Sequence, residues 1–171
     1  YKQANLPSHQ IIDLKKNKLS PKSYISAETV TKVNEHLKLG NQILFFINRR
    51  GFAPYVLCKD CLKVFSCPHC SINLVYHKQK KNLLCHYCGF KSLLNRKCEK
   101  DKLCNFVFSG AGVERVLEEV KLLFPNEKIS IFSSDTMNKA SSINTLEKII
   151  SGEINIIIGT QLISKGFHFP N

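Results

Sequence analysis

Gln42-Ile43-Leu44-Phe45-Phe46-Ile47 is an almost continuous apolar run that ends in the polar turn Asn48-Arg49-Arg50-Gly51. Too short for a helix, such a run predicts a strand buried on both faces in a parallel sheet. Just upstream, Val30, Val33 and Leu37 recur at helical spacing. Ser26 is a suitable N-cap and Gly40 a C-terminal stop, so a helix is expected over 26–39. Further on the rhythm repeats, with a helix expected near 113–124, a strand over 128–132, a helix near 142–150 and a strand over 154–158. Gly159-Thr160-Gln161 follows that last strand. Alternating helices and strands define an α/β fold, a doubly wound parallel half-sheet.

Between the first strand and the later units lies a different kind of sequence. All eight cysteines, Cys58, Cys61, Cys67, Cys70, Cys85, Cys88, Cys98 and Cys104, fall there and none elsewhere. Three pairs (58/61, 67/70, 85/88) are Cys-x-x-Cys, a spacing that aims two thiolates from one tight turn at a tetrahedral zinc. The last pair is irregular, with five residues between Cys98 and Cys104. Either that knuckle is widened or a different residue completes a second site. An even cysteine count could also signal disulfides, but repeated Cys-x-x-Cys pairs beside a cysteine-free α/β part suit chelation. No secretory leader or membrane span is expected, so the compartment is expected to be reducing and cytoplasmic. A site closed by four sulfurs leaves no open position for a substrate, so the metal is structural. The segment is most simply an insertion that leaves the sheet after Gly51 and returns near Phe106. That gives a first part of the α/β domain over 1–54, a zinc-binding insertion over 55–105 and the remainder over 106–171.

The chain has 171 residues with 25 Lys and Arg against 13 Asp and Glu, a formal charge of +12. Such a balance points to a polyanionic partner. Each zinc held by four thiolates carries −2, so two of them would lower +12 to +8 and leave the chain basic. The stretch 58–104 holds ten Lys and Arg against Asp60, Glu99 and Asp101, interleaved with Phe65, Tyr76, Tyr87 and Phe90. Lysines that merely face solvent would look the same one at a time. As a cluster, with Lys78, Lys80 and Lys81 at its centre, they suit phosphate contact with base stacking.

In open parallel sheets, function gathers at the carboxyl ends of strands, where both polar turns lie. Asn48, Arg49, Arg50 and Gly51 offer two guanidiniums and a glycine suited to a phosphate backbone, or simply to capping a helix and pairing surface acids. Gly159, Thr160, Gln161, Lys165 and Gly166 repeat the theme with a hydroxyl, an amide and an ammonium. Gly110-Ala111-Gly112 resembles an anion-binding helix start but is more often just a turn, and the full dinucleotide fingerprint is absent.

Taken together, these residues resemble a known family. Gln42-Ile-Leu-Phe-Phe-Ile-Asn-Arg-Arg-Gly-Phe-Ala-Pro54, the knuckles with Cys85-His-Tyr-Cys-Gly89, Gly110-Ala-Gly-Val-Glu114, and Ile158-Gly-Thr-Gln-Leu-Ile-Ser-Lys-Gly-Phe-His-Phe-Pro170 look like the PriA (primosomal protein N′) replication-restart DNA helicases. The resemblance covers nearly the whole chain. It implies a RecA-like second helicase lobe, of the P-loop NTPase type, interrupted by a small module with two structural Zn2+ ions. It also implies ATP-driven 3′ to 5′ translocation on single-stranded DNA and opening of forked duplex at stalled replication forks. The partners implied are the other helicase lobe, the primosome proteins and single-strand-binding protein. The 48–51 turn would match the fourth helicase motif and the 159–166 segment the fifth. In such enzymes these grip the DNA backbone and relay the nucleotide state, with Gln161 and Lys165 in the relay and Thr160 on a phosphate; a bare capping role for Thr160 and Gln161 is the simpler alternative.

The resemblance further implies nested metal sites. Cys67, Cys70, Cys85 and Cys88 would hold one zinc, and Cys58, Cys61, Cys98 and one further ligand the other. Counting back from Gly110-x-Gly112-x-Glu114, the family's closing cysteine falls at Asp101, whereas Cys104 lies three residues on. Thiolate is the softer ligand, which favours Cys104 with 99–103 looped out; Asp101 is the alternative and His77 an outside candidate. His69 and His86, lying inside complete knuckles, are expected to be exposed or packed side chains.

No Gly-x-x-x-x-Gly-Lys-Ser/Thr phosphate loop and no Asp-Glu-x-His magnesium site occurs in the chain. ATP and Mg2+ would therefore be bound only by the intact helicase, and no catalytic residue and no ATPase activity are expected of this chain alone. With no initiating methionine, it is expected to be an excised or split piece. Two rival readings are a stand-alone zinc-ribbon module that binds nucleic acid or protein without a motor, and a nonfunctional remnant of a split gene.

Overall fold

The computed structural model describes residues 7–94, 105–133 and 139–163. In chain order these form α1 (Ala27–Lys38), β1 (Ile43–Phe46), β2 (Tyr55–Cys58), β3 (Val75–His77), β4 (Asn82–Leu84), β5 (Lys91–Leu93), β6 (Phe106–Ser109), α2 (Val113–Leu123), β7 (Ile129–Phe132), α3 (Lys139–Ile150) and β8 (Ile156–Gly159). Three sheets result: a parallel sheet ordered β1-β8-β7, an antiparallel pair β2-β6, and an antiparallel ribbon β3-β4-β5.

The parallel sheet is built as the apolar runs require. β8, fully buried along its length, lies at the centre with Ile43 beside Ile156 on one flank and Ile129 beside Ile156 on the other. On one face Ile156 and Ile158 pack with Val33 of α1 and Val113, Val116 and Val120 of α2. On the other, Ile157 packs with Phe132, Ile154 and Ile163 and with Ile149 of α3. Helix α1 begins where its cap predicts: the Ser26 hydroxyl accepts a hydrogen bond from the Thr29 N–H at 3.1 Å. It ends at Gly40, whose φ of +78° only glycine adopts freely.

Strand β1 departs from the expectation of burial on both faces. Ile43 and Phe45 turn inward toward the helices, while Leu44 and Phe46 are 46% and 49% exposed. The reason is position. Among the described residues β1 is an edge strand, and the α3 cluster that covers the second face takes in β7 and β8 but no β1 residue.

The cysteine-rich segment leaves and returns through the β2-β6 pair, where Tyr55 faces Ser109 and Cys58 faces Phe106. It has its own small core of Val56, Phe65, Leu74 and Leu83 among three buried cysteine side chains. Tilted rings add to it, Phe65 against Phe106 and Tyr76 against Phe108.

Candidate metal centre and its seat on the α/β domain

Each Cys-x-x-Cys pair folds into the same turn. The residue after the second cysteine has positive φ: Leu62 at 59°, Ser71 at 51° and Gly89 at 78°. Its N–H donates back to the carbonyl of the first cysteine, at 2.8, 3.2 and 2.9 Å respectively. The first cysteine's own N–H donates five residues ahead, from Cys58 to Lys63, Cys67 to Ile72 and Cys85 to Phe90. Leu62 and Ser71 hold a left-handed conformation that side chains resist, so the surroundings must enforce it. A turn of this shape points both sulfurs to one side.

The second and third turns face one another. The sulfurs of Cys67, Cys70, Cys85 and Cys88 all lie within 4.8 Å of each other, and Cys67 and Cys88 are 3.5 Å apart. Zinc bound at about 2.3 Å from four sulfurs requires sulfur separations of about 3.8 Å, a value that lies between the 3.5 Å of Cys67–Cys88 and the 4.8 Å limit of the cluster, so the four sulfurs suit a tetrahedral ion. When bound, zinc would cross-link the two turns as a closed, non-catalytic centre. N–H groups of Cys88 and Tyr87 aimed at the Cys85 sulfur draw its pKa down to about 7 against the effect of burial. Contact with the Cys88 thiol, then burial, pushes Cys70 up to about 12, and burial raises Cys67. Each ligand must give up its proton to bind, so metal binding strengthens as pH rises.

Cys58 and Cys61 share the same turn geometry but stand apart from this cluster. The Lys59 N–H beside them donates to the carbonyl of Asn105 at 2.8 Å. Cys98, Cys104 and Asp101 lie outside the described residues, as do Lys165 and Gly166. His77, the outside candidate, has both ring nitrogens engaged elsewhere: Nδ1 lies 2.9 Å from a Glu114 carboxylate oxygen and Nε2 lies 2.9 Å from His86 Nε2. One proton assignment satisfies this chain, with His77 Nδ1–H donating to Glu114 and His86 Nε2–H donating to His77. His86 is therefore a packed partner, and exposed His69 rests edge-on against Phe90.

The ribbon is seated on the α/β domain through contacts that no sequence pattern announces. The 48–51 turn lies across the start of α2, where the carbonyls of Phe52, Arg49 and Gly51 accept from the N–H groups of Gly112, Val113 and Glu114 at 3.2, 3.1 and 3.0 Å. The helix start offered by Gly110-Ala111-Gly112 is thus filled by protein carbonyls, not open to an anion. The two backbones touch: a methyl on Gly112 would sit 2.0 Å from the Gly51 oxygen. Gly51 in turn lies against the ribbon, and the Phe52 N–H donates to the Tyr76 carbonyl at 2.8 Å.

Glu114, in the first turn of α2, closes the seat. Besides His77 it accepts from the Lys78 N–H at 2.9 Å. The Lys78 ammonium pairs with Glu118 at 2.6 Å and lies over the Phe52 ring, which the Arg115 guanidinium also approaches, at 4.3 Å. Burial alone would raise the Glu114 pKa, but the His77 and Lys78 hydrogen bonds outweigh it and hold the carboxyl below its usual value. A depressed folded pKa stabilises above the unfolded pKa, about 4.3, and that contribution is lost as pH falls through the lower folded value. Glu114→Gln is accordingly expected to cost about 2 kcal/mol at neutral pH. The difference should narrow as pH falls toward the carboxylate range; urea denaturation of the pair, compared only at pH values where both are verified to hold equal zinc, checks it, and a gap that did not narrow would contradict it.

Among the other residues singled out, Asn48, Arg49 and Arg50 are exposed at the strand end and Gly51 is buried. Gly159 and Thr160 are buried at the end of β8, where the Thr160 carbonyl accepts from the Ile163 N–H at 3.0 Å; Gln161 is exposed. Thr160 therefore starts the next turn from inside the domain. The one hint of the seat in the sequence was Glu114 itself, two residues after Gly112, but its partner lies 37 positions away.

A parallel α/β sheet with an inserted cysteine-knuckle ribbon defines the class: an α/β domain bearing a zinc-ribbon module. The model of the PriA DNA helicase Cys-rich region domain matches residues 67–92, a stretch that takes in the four clustered cysteines. Over its whole length the chain is 42% identical to the replication restart protein PriA of Rickettsia felis, covering 27% of that protein. It is 37% identical to PriA of Haemophilus influenzae over 95% of the chain and 22% of the relative. For PriA of Bacillus subtilis the figures are 33%, 97% and 21%. The chain belongs to the PriA replication restart family, and it spans about a quarter of the length of these relatives. No described helix is long and apolar enough to cross a membrane.

Proposed function

We propose that the chain forms part of an ATP-dependent 3′ to 5′ DNA helicase that restarts stalled replication forks in the cytoplasm. The similarity to PriA along the entire chain, not the ribbon alone, carries this reading. In it the parallel sheet is the second, RecA-like helicase lobe, and 55–105 is the inserted module between 1–54 and 106–171. Asn48, Arg49 and Arg50 contact the DNA backbone, with Gly51 fixing their turn. Gly159, Thr160, Gln161, Lys165 and Gly166 couple this lobe to the one that binds ATP and Mg2+. Burial of Thr160 favours a positioning role for it over direct phosphate contact.

Two structural zinc ions belong to the proposal. The second would be held by Cys58, Cys61, Cys98 and Cys104, with Asp101 as the alternative fourth ligand. Support comes from the first knuckle, whose hydrogen-bond frame repeats that of the two clustered ones. DNA in forked, single-stranded and duplex form is the partner, with primosome and single-strand-binding proteins joining at the fork.

Because Lys78 is spent on Glu118 and Phe52, the DNA test belongs on other ribbon lysines. Lys59, Lys81 and Lys91 changed together to Ala should weaken binding of a single-stranded oligonucleotide. The slope of log affinity against log salt should fall by about 0.7 for each phosphate that is no longer neutralised. An unchanged slope and affinity would mean that the ribbon's charge is only a solvated face.

A further inference from the structure

A cleft of about 300 Å³ opens where the 48–51 turn meets the ribbon. Asn48, Arg49 and Arg50 form one wall, and Tyr55, Ile72 and Asn73 contribute to the other. No carboxylate is among its lining residues. The backbone of the cationic wall is held in place: the Arg49 carbonyl is tied to the α2 N–H of Val113 and the Gly51 carbonyl to that of Glu114. The facing wall is of a different chemistry. Tyr55 is 43% exposed and Ile72 42%, presenting a ring and an aliphatic surface beside a side-chain amide.

We propose that this cleft is a nucleotide subsite, taking one unit of a single strand with its phosphate on the arginines and its base on Tyr55, edge toward the Asn73 amide. The volume suits one such unit, at the lower end of ligand pockets, which run from roughly 300 Å³ upward. Guanidiniums match phosphate oxygens in pairs, a tyrosine ring stacks on any base, and an amide supplies both a donor and an acceptor to a base edge. An acidic peptide would use the arginines but leave the ring and amide without a counterpart. The inference rests on the reading that this chain binds single-stranded DNA. It adds that the zinc ribbon supplies half of the strand's path, so that removing zinc would dismantle one wall of the cleft.

The test uses the full zinc-loaded chain, with zinc content verified for each variant. Fluorescence anisotropy would follow an oligo-dT strand, with a mononucleotide and a poly-glutamate peptide as competitors. Tyr55→Ala should weaken oligo-dT binding about tenfold with an unchanged salt slope, and Tyr55→Phe should restore it, because stacking is lost and regained. Asn73→Ala should weaken it less, and Arg49→Ala should lower the slope by about 0.7. If Arg49→Ala weakens binding but Tyr55→Ala and Asn73→Ala leave it intact, the strand follows the turn alone; the subsite is then wrong while DNA binding stands. If oligo-dT does not bind at all, both readings fall. Displacement of the strand by poly-glutamate but not by the mononucleotide would make the occupant an acidic peptide and overturn the proposal.

Discussion

Gly112→Ala is expected to destabilise the protein by about 3 kcal/mol or more, although it adds a single methyl group. The new carbon would sit 2.0 Å from the Gly51 oxygen, 2.7 Å from the Gly51 carbonyl carbon and 2.9 Å from the Arg50 oxygen. All three are backbone atoms, so no side-chain rotation relieves the clash. Separating the segments would break the bonds that Gly112, Val113 and Glu114 donate to Phe52, Arg49 and Gly51. It would also lift Gly51 from Tyr76 and loosen the seat of the ribbon. The fitting control is Gly40→Ala, where φ is +78° but no atom lies within 4 Å of the added carbon. There only the cost of a left-handed alanine applies, about 1 kcal/mol. Urea denaturation of both variants measures the difference. A Gly112→Ala protein no less stable than Gly40→Ala would mean that the two backbones are not held together as described. Reduced oligonucleotide affinity in the same variant would tie the seat to the 48–51 turn.

The α/β part was legible where sequence carries periodicity. The runs around 42–47 and 154–158 read as strands because a short unbroken apolar stretch suits a parallel sheet, and β8 is buried throughout. The second face of β1 was not legible in this way, since an apolar run does not say which neighbours arrive to cover it. Leu44 and Phe46 are as apolar as Ile157 but lie beyond the α3 cluster. Strands β3, β4 and β5 have three residues each, too few for any period, and were not foreseen as strands.

Cysteine spacing signalled the four-sulfur cluster because the chemistry of a knuckle is local: a few consecutive residues set the turn. Its left-handed positions were hidden, for Leu62 and Ser71 stand where glycine would have announced them. The seat was the least legible feature. Gly51 and Gly112 meet across 61 positions, and His77 reaches Glu114 across 37, so neither pairing leaves a local trace. Gly110-Ala111-Gly112 does read as a helix start, but only the fold reveals that carbonyls already occupy its N–H groups.

The largest effect is expected from loss of the clustered zinc site. Structural zinc contributes on the order of 10 kcal/mol to modules of this size, more than so small a core can replace. Cys70→Ser removes one of four sulfurs within 4.8 Å of one another, and a chelator removes the ion itself. In either case the ribbon should open, with Leu74 losing its bond to Phe65 and Cys85 its bond to Phe90. The parallel sheet should survive, since Ile156, Ile157 and Ile158 pack against α1, α2 and α3 and against no ribbon residue in either core cluster.

Amide hydrogen exchange with and without chelator tests this division of the chain most directly. The expected result is that zinc removal, or Cys70→Ser, abolishes protection at Leu74, Leu83 and Cys85 while Ile156, Ile157 and Ile158 stay protected. Protection of the ribbon amides that survived complete removal of zinc would contradict a metal-held module seated on an independent α/β sheet.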